Sequence, residues 1–255
     1  MASPKIKPMT VQEHAAALSE GVLAEILYAF SGKRSGWLQG LIKPLARKPA
    51  KHFGNIVAEF YDQLNREGIR QGAQQALTKL NHAVETRGTD AIPLTGSLLL
   101  VSNHPGGLDS LSILSCLPRN DLKVLVTDVK FLRLLDYLKR YLIFVDFTAT
   151  GGMLALRDAI RHLESGGMLL LFAHGDVEPE PESYPAASDE INQWSPSIEI
   201  LLRKVPETLL QIVTVSGAVQ ARYLRNPLTC LRRQPARRQK LAEFLQVIQC
   251  LLLPH

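Results

Sequence analysis

Up to about residue 87 the apolar positions recur with helical spacing, and from Leu98 onward they gather into short runs. Val11, Leu18, Val22 and Ile26 fall three, four or seven apart, as do Leu23, Leu27 and Phe30. Phe53, Ile56, Val57, Phe60 and Leu64 repeat the pattern, and Leu77, Leu80 and Val84 continue it past a weak break at Gly68. That spacing lays one apolar stripe along a helix, so residues 10 to about 87 read as two or three helices. The later runs, 97–102, 122–127, 142–145, 168–172 and 209–215, are too short and too apolar for that and read as strands. Helical stretches near 131–140 and 152–164 separate them, the second ended by Gly166-Gly167. Buried strands joined by helices predict an α/β fold: a mainly parallel central sheet covered by helices, with an N-terminal helical segment. The boundaries that follow are 1–87 (helical), 88–220 (α/β core) and 221–255 (a basic helical tail packing on the core).

Charge is distributed in blocks. Between Lys33 and Lys51 lie six basic residues and no acidic ones, with Trp37, Leu38, Leu41, Ile42 and Leu45 on one helical face. A cationic amphipathic helix carrying Trp suits a membrane interface, and the same face equally suits packing on the core. Pro44 and Pro49 are expected to interrupt it. From His174 to Glu199 there are seven acidic residues, no Lys or Arg, and four prolines. So long an irregular segment in a compact domain is functional or disordered, and it starts at a strand end, where parallel sheets bind ligands. The tail reverses the sign: seven basic residues from Arg222 to Lys240 stand against Glu243 alone. It is positioned to dock on the acidic segment, to grip a phosphate-rich donor, or to remain solvated surface.

Composition narrows the partners. The chain has 255 residues and a formal charge of +5, which favours anionic partners. No basic stripe interleaved with stacking aromatics is present, so nucleic acid is not expected. Cys116, Cys230 and Cys250 lack metal-ligand spacing and suit reduced thiols in the cytoplasm. Residues 1–8 lack the core of a signal peptide, and no run reaches a spanning length. Any membrane contact is then peripheral, at the inner surface.

The chemistry concentrates in Asn103-His104-Pro105-Gly106-Gly107-Leu108-Asp109, directly behind the first strand. Chain reversal at the glycines lets Asp109, in the first turn of the next helix, face His104. A carboxylate on one imidazole nitrogen fixes the tautomer and leaves the other free to take a proton. Backbone N–H groups around Gly106 and Gly107 then suit a developing oxyanion. The bland alternative is a strand-to-helix junction in which His104 and Asp109 serve only as caps.

This stretch resembles the first motif, Asn-His-x4-Asp, of the glycerolipid and lysophospholipid acyltransferases. The likeness spans roughly residues 80 to 220. Thr86-Arg87-Gly88 and Ile92-Pro93 resemble the lead-in, and Lys130 with Leu142 to Asp146 stands at the second motif. Ala155 to Leu163 and then Gly166 to Gly175 resemble the approach to the third. Where that motif has Phe-Pro-Glu-Gly-Thr-Arg-Ser, this chain has Phe172-Ala173-His174-Gly175-Asp176-Val177-Glu178, without the arginine. The second motif's basic residue is replaced at Phe147 and Thr148, and 210–215 only echoes the fourth.

The resemblance implies a glycerol-3-phosphate acyltransferase-like fold and transfer of an acyl group from acyl-CoA or acyl carrier protein to a hydroxyl or amine of a lipid-like acceptor. It needs no cofactor or metal. His104 and Asp109 would be the catalytic pair, and Asn103, Gly106, Gly107, Lys130, His174, Gly175 and Asp176 would contact substrate. With the phosphate grip depleted, glycerol 3-phosphate and lysophosphatidate fit poorly as acceptors. Two other functions remain open: a non-catalytic acyl- or lipid-binding protein, and a metal-dependent ester hydrolase using His104, Asp109, His174 and Asp176.

Overall fold

Five parallel strands, β1 (Leu98–Ser102), β2 (Leu122–Thr127), β3 (Leu142–Val145), β4 (Met168–Phe172) and β5 (Leu209–Val213), lie in the order β3-β2-β4-β1-β5. The structure, a computed structural model, describes residues 37–128, 136–146, 148–232 and 234–252, plus isolated positions 16, 19–21, 23 and 132. Each strand falls on one of the expected apolar runs, and the protein is α/β with an all-parallel sheet.

Alternation along the central strands divides the interior in two. Leu98, Leu100, Met168 and Leu170 face one core, which they share with α1 (Trp37–Glu67), α2 (Ile69–Lys79) and α3 (Asp109–Cys116). Leu99, Val101, Leu169 and Leu171 face the other, covered by α5 (Ala149–Glu164) and α6 (Ser197–Lys204). A short helix, α4 (Asp136–Lys139), precedes β3. Because Ile56, Phe60 and Leu64 of α1 sit in the same cluster as Leu100, the N-terminal helices and the sheet build one shared core.

The expected interruption at Pro44 and Pro49 does not occur. Helix α1 runs through both as one element of 31 residues. Each proline deletes a backbone donor, but Ala46, Pro49 and Ala50 are buried, so packing offsets the lost hydrogen bonds. The break comes instead at Gly68, whose φ of 100° lies in the left-handed region. There α2 folds back on α1, so closely that a Cβ on Gly72 would lie 3.2 Å from the Phe60 ring.

The connections change direction between β4 and β1. From β1 the chain crosses past β4 to β2, whereas from β4 it crosses past β1 to β5. The carboxyl ends of β1 and β4 form a switch point, the edge where open parallel sheets bind ligands, and beyond it the two chains stay joined by the Ala173 N–H to the Ser102 carbonyl and the Glu178 N–H to the His104 carbonyl. At the opposite end of the sheet Arg119, 5% exposed, acts as a staple. Its guanidinium donates to the carbonyls of Pro93, Gly96 and Gly166 and pairs with Asp121.

The acidic segment is folded rather than irregular. Pro185–Gln193 forms a 310 helix and Ser197–Lys204 forms α6. Beyond β5 come α7 (Ala221–Leu224), α8 (Pro227–Cys230) and the long α9 (Pro235–Leu252). No described helix is long and apolar enough to cross a membrane. Lys43, Arg47, Lys48 and Lys51 of α1 are exposed; the side chains of Trp37, Leu38, Leu41, Ile42 and Leu45, their expected apolar companions, lie outside the described residues.

Candidate active site

Parity along β1 carries His104 to the face of Ser102 and Leu100, just past the last ladder pair Ser102↔Phe172. Its ring packs on Phe172, centroid to centroid 4.5 Å. Two residues later the Gly106-Gly107 turn reverses the chain, and Asp109 opens α3. Nδ1 of His104 then meets Oδ2 of Asp109 at 2.7 Å. The carboxylate is fully buried, while the imidazole is 24% exposed. Nδ1 is therefore occupied and Nε2 is the ring nitrogen left for a substrate.

The Asp109 carboxylate is fixed by its surroundings. Oδ1 accepts the Ser110 N–H at 2.5 Å and the Ser110 hydroxyl at 3.2 Å, and Oδ2 also accepts the Gly106 N–H at 3.3 Å. Burial alone would lower the pKa of His104. The Asp109 hydrogen bond outweighs it, together with the charges of Asp109, Glu243 and Glu178, and raises the imidazole above its ordinary 6.5.

Around the pair lies a polar frame that sequence reasoning did not single out. Glu178 is 3% exposed. Its Oε2 accepts the His104 N–H at 2.7 Å and its Oε1 the Trp194 indole N–H at 2.9 Å, while its own N–H donates to the His104 carbonyl at 2.8 Å. Glu180, fully buried, accepts the N–H groups of Gly217 and Val219. Helix α9 completes the frame with Gln239, Glu243 and Gln246, spaced to share one face. Gln239 donates to the carbonyls of Pro105 and Glu178, both at 2.7 Å, and accepts the Glu180 N–H. Gln246 pairs with the backbone of Ala218 and Gln220. Glu243 accepts the Gly107 N–H. Burial raises the Glu243 carboxyl, with Asp109 adding to the shift, against the opposing pull of Gly107, His104 and Lys240.

The other expected site residues divide. Asn103 is a strut: its amide donates to the Val215 carbonyl at 2.9 Å and accepts the Val215 N–H at 2.8 Å, tying the ends of β1 and β5. The N–H groups of Gly106 and Gly107, expected as open oxyanion donors, already serve Asp109 and Glu243. Gly175 shapes the turn after β4, at a φ of 81°. His174 lies 3.5 Å from Glu190 through Nε2, and its buried Nδ1 has no hydrogen-bond partner among the described residues. Asp176 is exposed, and the Val177 N–H and Lys240 hold its carboxyl below the usual range. Lys130 lies outside the described residues.

The basic tail docks on the acidic segment, chiefly through the neutral side chain of Gln239; Lys240 and Asp176 form an exposed ion pair at 3.2 Å. The four-residue set required by the hydrolase alternative does not assemble: His174 turns to Glu190 and Asp176 to Lys240. Among the described residues no three His, Cys, Asp or Glu side chains are grouped to hold a metal.

One strongly held imidazole–carboxylate pair at the carboxyl edge of the sheet can take a proton from a hydroxyl or amine. No family model, curated protein or solved structure matches this chain.

Proposed function

We propose that the protein is an acyltransferase of the glycerolipid and lysophospholipid type, with that family's fold, moving an acyl group from acyl-CoA or acyl carrier protein to a hydroxyl or amine of a lipid-like acceptor. The observation that carries this reading is the 2.7 Å contact between Nδ1 of His104 and the buried Asp109, which leaves Nε2 as the proton acceptor. Nε2 removes the acceptor's proton as its oxygen or nitrogen attacks the thioester carbonyl. The tetrahedral intermediate expels a thiolate, which recovers that proton from the imidazolium. No acyl-enzyme forms, and no cofactor takes part. Phe172, Leu111, Val126 and Leu132, partly buried around the first core, offer an apolar bed for the acyl chain.

An acceptor without a phosphate fits best. The residues in place of the family's third motif are turned to internal partners, His174 to Glu190 and Asp176 to Lys240. The exposed Lys43, Arg47, Lys48 and Lys51 of α1 suit peripheral contact with an anionic membrane surface from the cytoplasm. The test is to incubate the protein with palmitoyl-CoA or palmitoyl carrier protein and a panel of acceptors: a long-chain alcohol, a long-chain amine, lysophosphatidate and glycerol 3-phosphate. Products are identified by mass. Acylation of the alcohol or amine in preference to the phosphates supports the reading; no acylated product with any acceptor contradicts it.

One observation favours a second reading, a non-catalytic acyl-binding protein. Both N–H groups of the glycine turn are filled by internal carboxylates. Binding of acyl ligands with no thioester consumption would establish it.

A further inference from the structure

Glu243 occupies the Gly107 N–H, a backbone donor in the turn between His104 and Asp109. In the first turn around Asp109, the N–H groups of Gly106 and Ser110 are committed to the Asp109 carboxylate, whereas the Gly107 N–H does not serve the catalytic pair. That donor is taken by Oε1 of Glu243. The fit is close: a Cβ on Gly107 would lie 2.9 Å from Oε1, and one on Gly106 3.1 Å. A side chain on Gly107 would thus displace the carboxylate, and one on Gly106 would crowd it. Nor is Glu243 a chance surface contact, because Gln239 and Gln246, one turn to either side on α9, lock the helix to the backbone of the neighbouring loops.

A carboxylate oxygen on a backbone N–H carries the charge of the oxyanion formed when a thioester is attacked, and this one lies near enough to His104 to raise its pKa. We propose that Glu243 is an internal gate on the acyl-carbonyl position: the thioester oxygen binds the Gly107 N–H only after the Glu243 side chain has swung away. An alternative partner is within the helix. Lys240 lies three residues back, on the same face of α9, where its ammonium already meets Asp176. The idle protein is thereby closed to thioesters, and water gains no oxyanion donor for wasteful hydrolysis.

The inference rests on the acyl-transfer reading, and the test separates the two. Binding is measured by calorimetry for two analogues of palmitoyl-CoA: a 2-oxoalkyl thioether, which keeps a carbonyl oxygen but has no cleavable acyl–sulfur bond, and a plain alkyl thioether without that oxygen. Wild type, Glu243→Gln and Glu243→Ala are compared, each checked for folding by thermal unfolding. A neutral amide accepts the Gly107 N–H more weakly than a carboxylate, and alanine not at all. The oxo analogue therefore binds severalfold tighter to Glu243→Gln and about tenfold or more tighter to Glu243→Ala, while the alkyl thioether binds all three alike. Should Glu243→Ala fail to fold, the nearly isosteric Glu243→Gln decides. Equal binding of the oxo analogue to every variant overturns the gate and leaves acyl transfer standing, and so does equal tightening of both analogues. Failure of both analogues, offered on CoA and on acyl carrier protein, to bind any of the proteins overturns the acyl-transfer reading, and the gate with it.

Discussion

Glu178 grips His104 by its backbone: one carboxylate oxygen accepts the His104 N–H at 2.7 Å, and the Glu178 N–H returns a hydrogen bond to the His104 carbonyl at 2.8 Å. The imidazole is thus fixed twice, its main chain by the acidic segment and its ring by Asp109. Glu178→Gln leaves one acceptor for two buried donors, His104 N–H and the Trp194 indole. The expected cost is about 1–3 kcal/mol, which lowers the melting temperature by about 3–10 °C. Thermal unfolding reads it, and an unchanged transition contradicts this seating.

The pH dependence follows from the raised His104 pKa. A general base must be neutral, so transfer increases with pH and levels off above a midpoint higher than 6.5. Glu243→Gln removes one of the raising charges and moves that midpoint down. Asp109→Asn moves it further, because burial then acts with less opposition, and it lowers the plateau about 100-fold or more. The same shift bears on stability. An imidazole whose pKa is raised by folding contributes stability that is complete below 6.5 and is lost as pH climbs through the folded value. Pre-steady-state rates and melting temperatures across pH 5–9, on wild type and both variants, check the two signs.

Gln239, 1% exposed, joins three backbone groups from two loops. Gln239→Ala strands the carbonyls of Pro105 and Glu178 and the N–H of Glu180. It should cost about 3 kcal/mol and reduce transfer at temperatures where the variant is still folded, since Pro105 adjoins His104. Conservative Gln239→Glu fails as well, because a carboxylate cannot donate to the two carbonyls. Retained activity in both variants would show that α9 does not hold the site.

Arg119 supplies the contrasting case. Its bonds to Pro93, Gly96 and Gly166 lie at the end of the sheet opposite His104. Arg119→Ala should destabilise by about 3 kcal/mol or more, yet leave KM for the thioester unchanged in the folded fraction. A changed KM with an unchanged melting curve would reverse that assignment.

The strands were legible because Leu98 to Val101 and Met168 to Leu171 are buried on both faces and so read as unbroken apolar runs. The approach of His104 to Asp109 was legible for a local reason: five residues and two glycines suffice to bring them together. Glu178, Gln239 and Glu243 were not, because their meaning depends on loops up to 136 residues away, as for Glu243 and Gly107. A polar Gln-x3-Glu-x2-Gln stripe on a basic helix looks like solvated surface until its partners are in place. The one available signal was Glu243 as the single acid of the tail. Pro44 and Pro49 misled for the opposite reason: tertiary packing of Ala46 and Ala50 overrode a local rule.

The decisive measurement is consumption of palmitoyl-CoA or palmitoyl carrier protein, with acceptor present, by wild type and by His104→Ala of matching melting behaviour. The expected result is rapid loss of thioester with acylated product for wild type, and a rate lower by about 100-fold or more for the variant. Equal rates in the two proteins would show that the His104 imidazole is not the base, and the account built on it would be wrong.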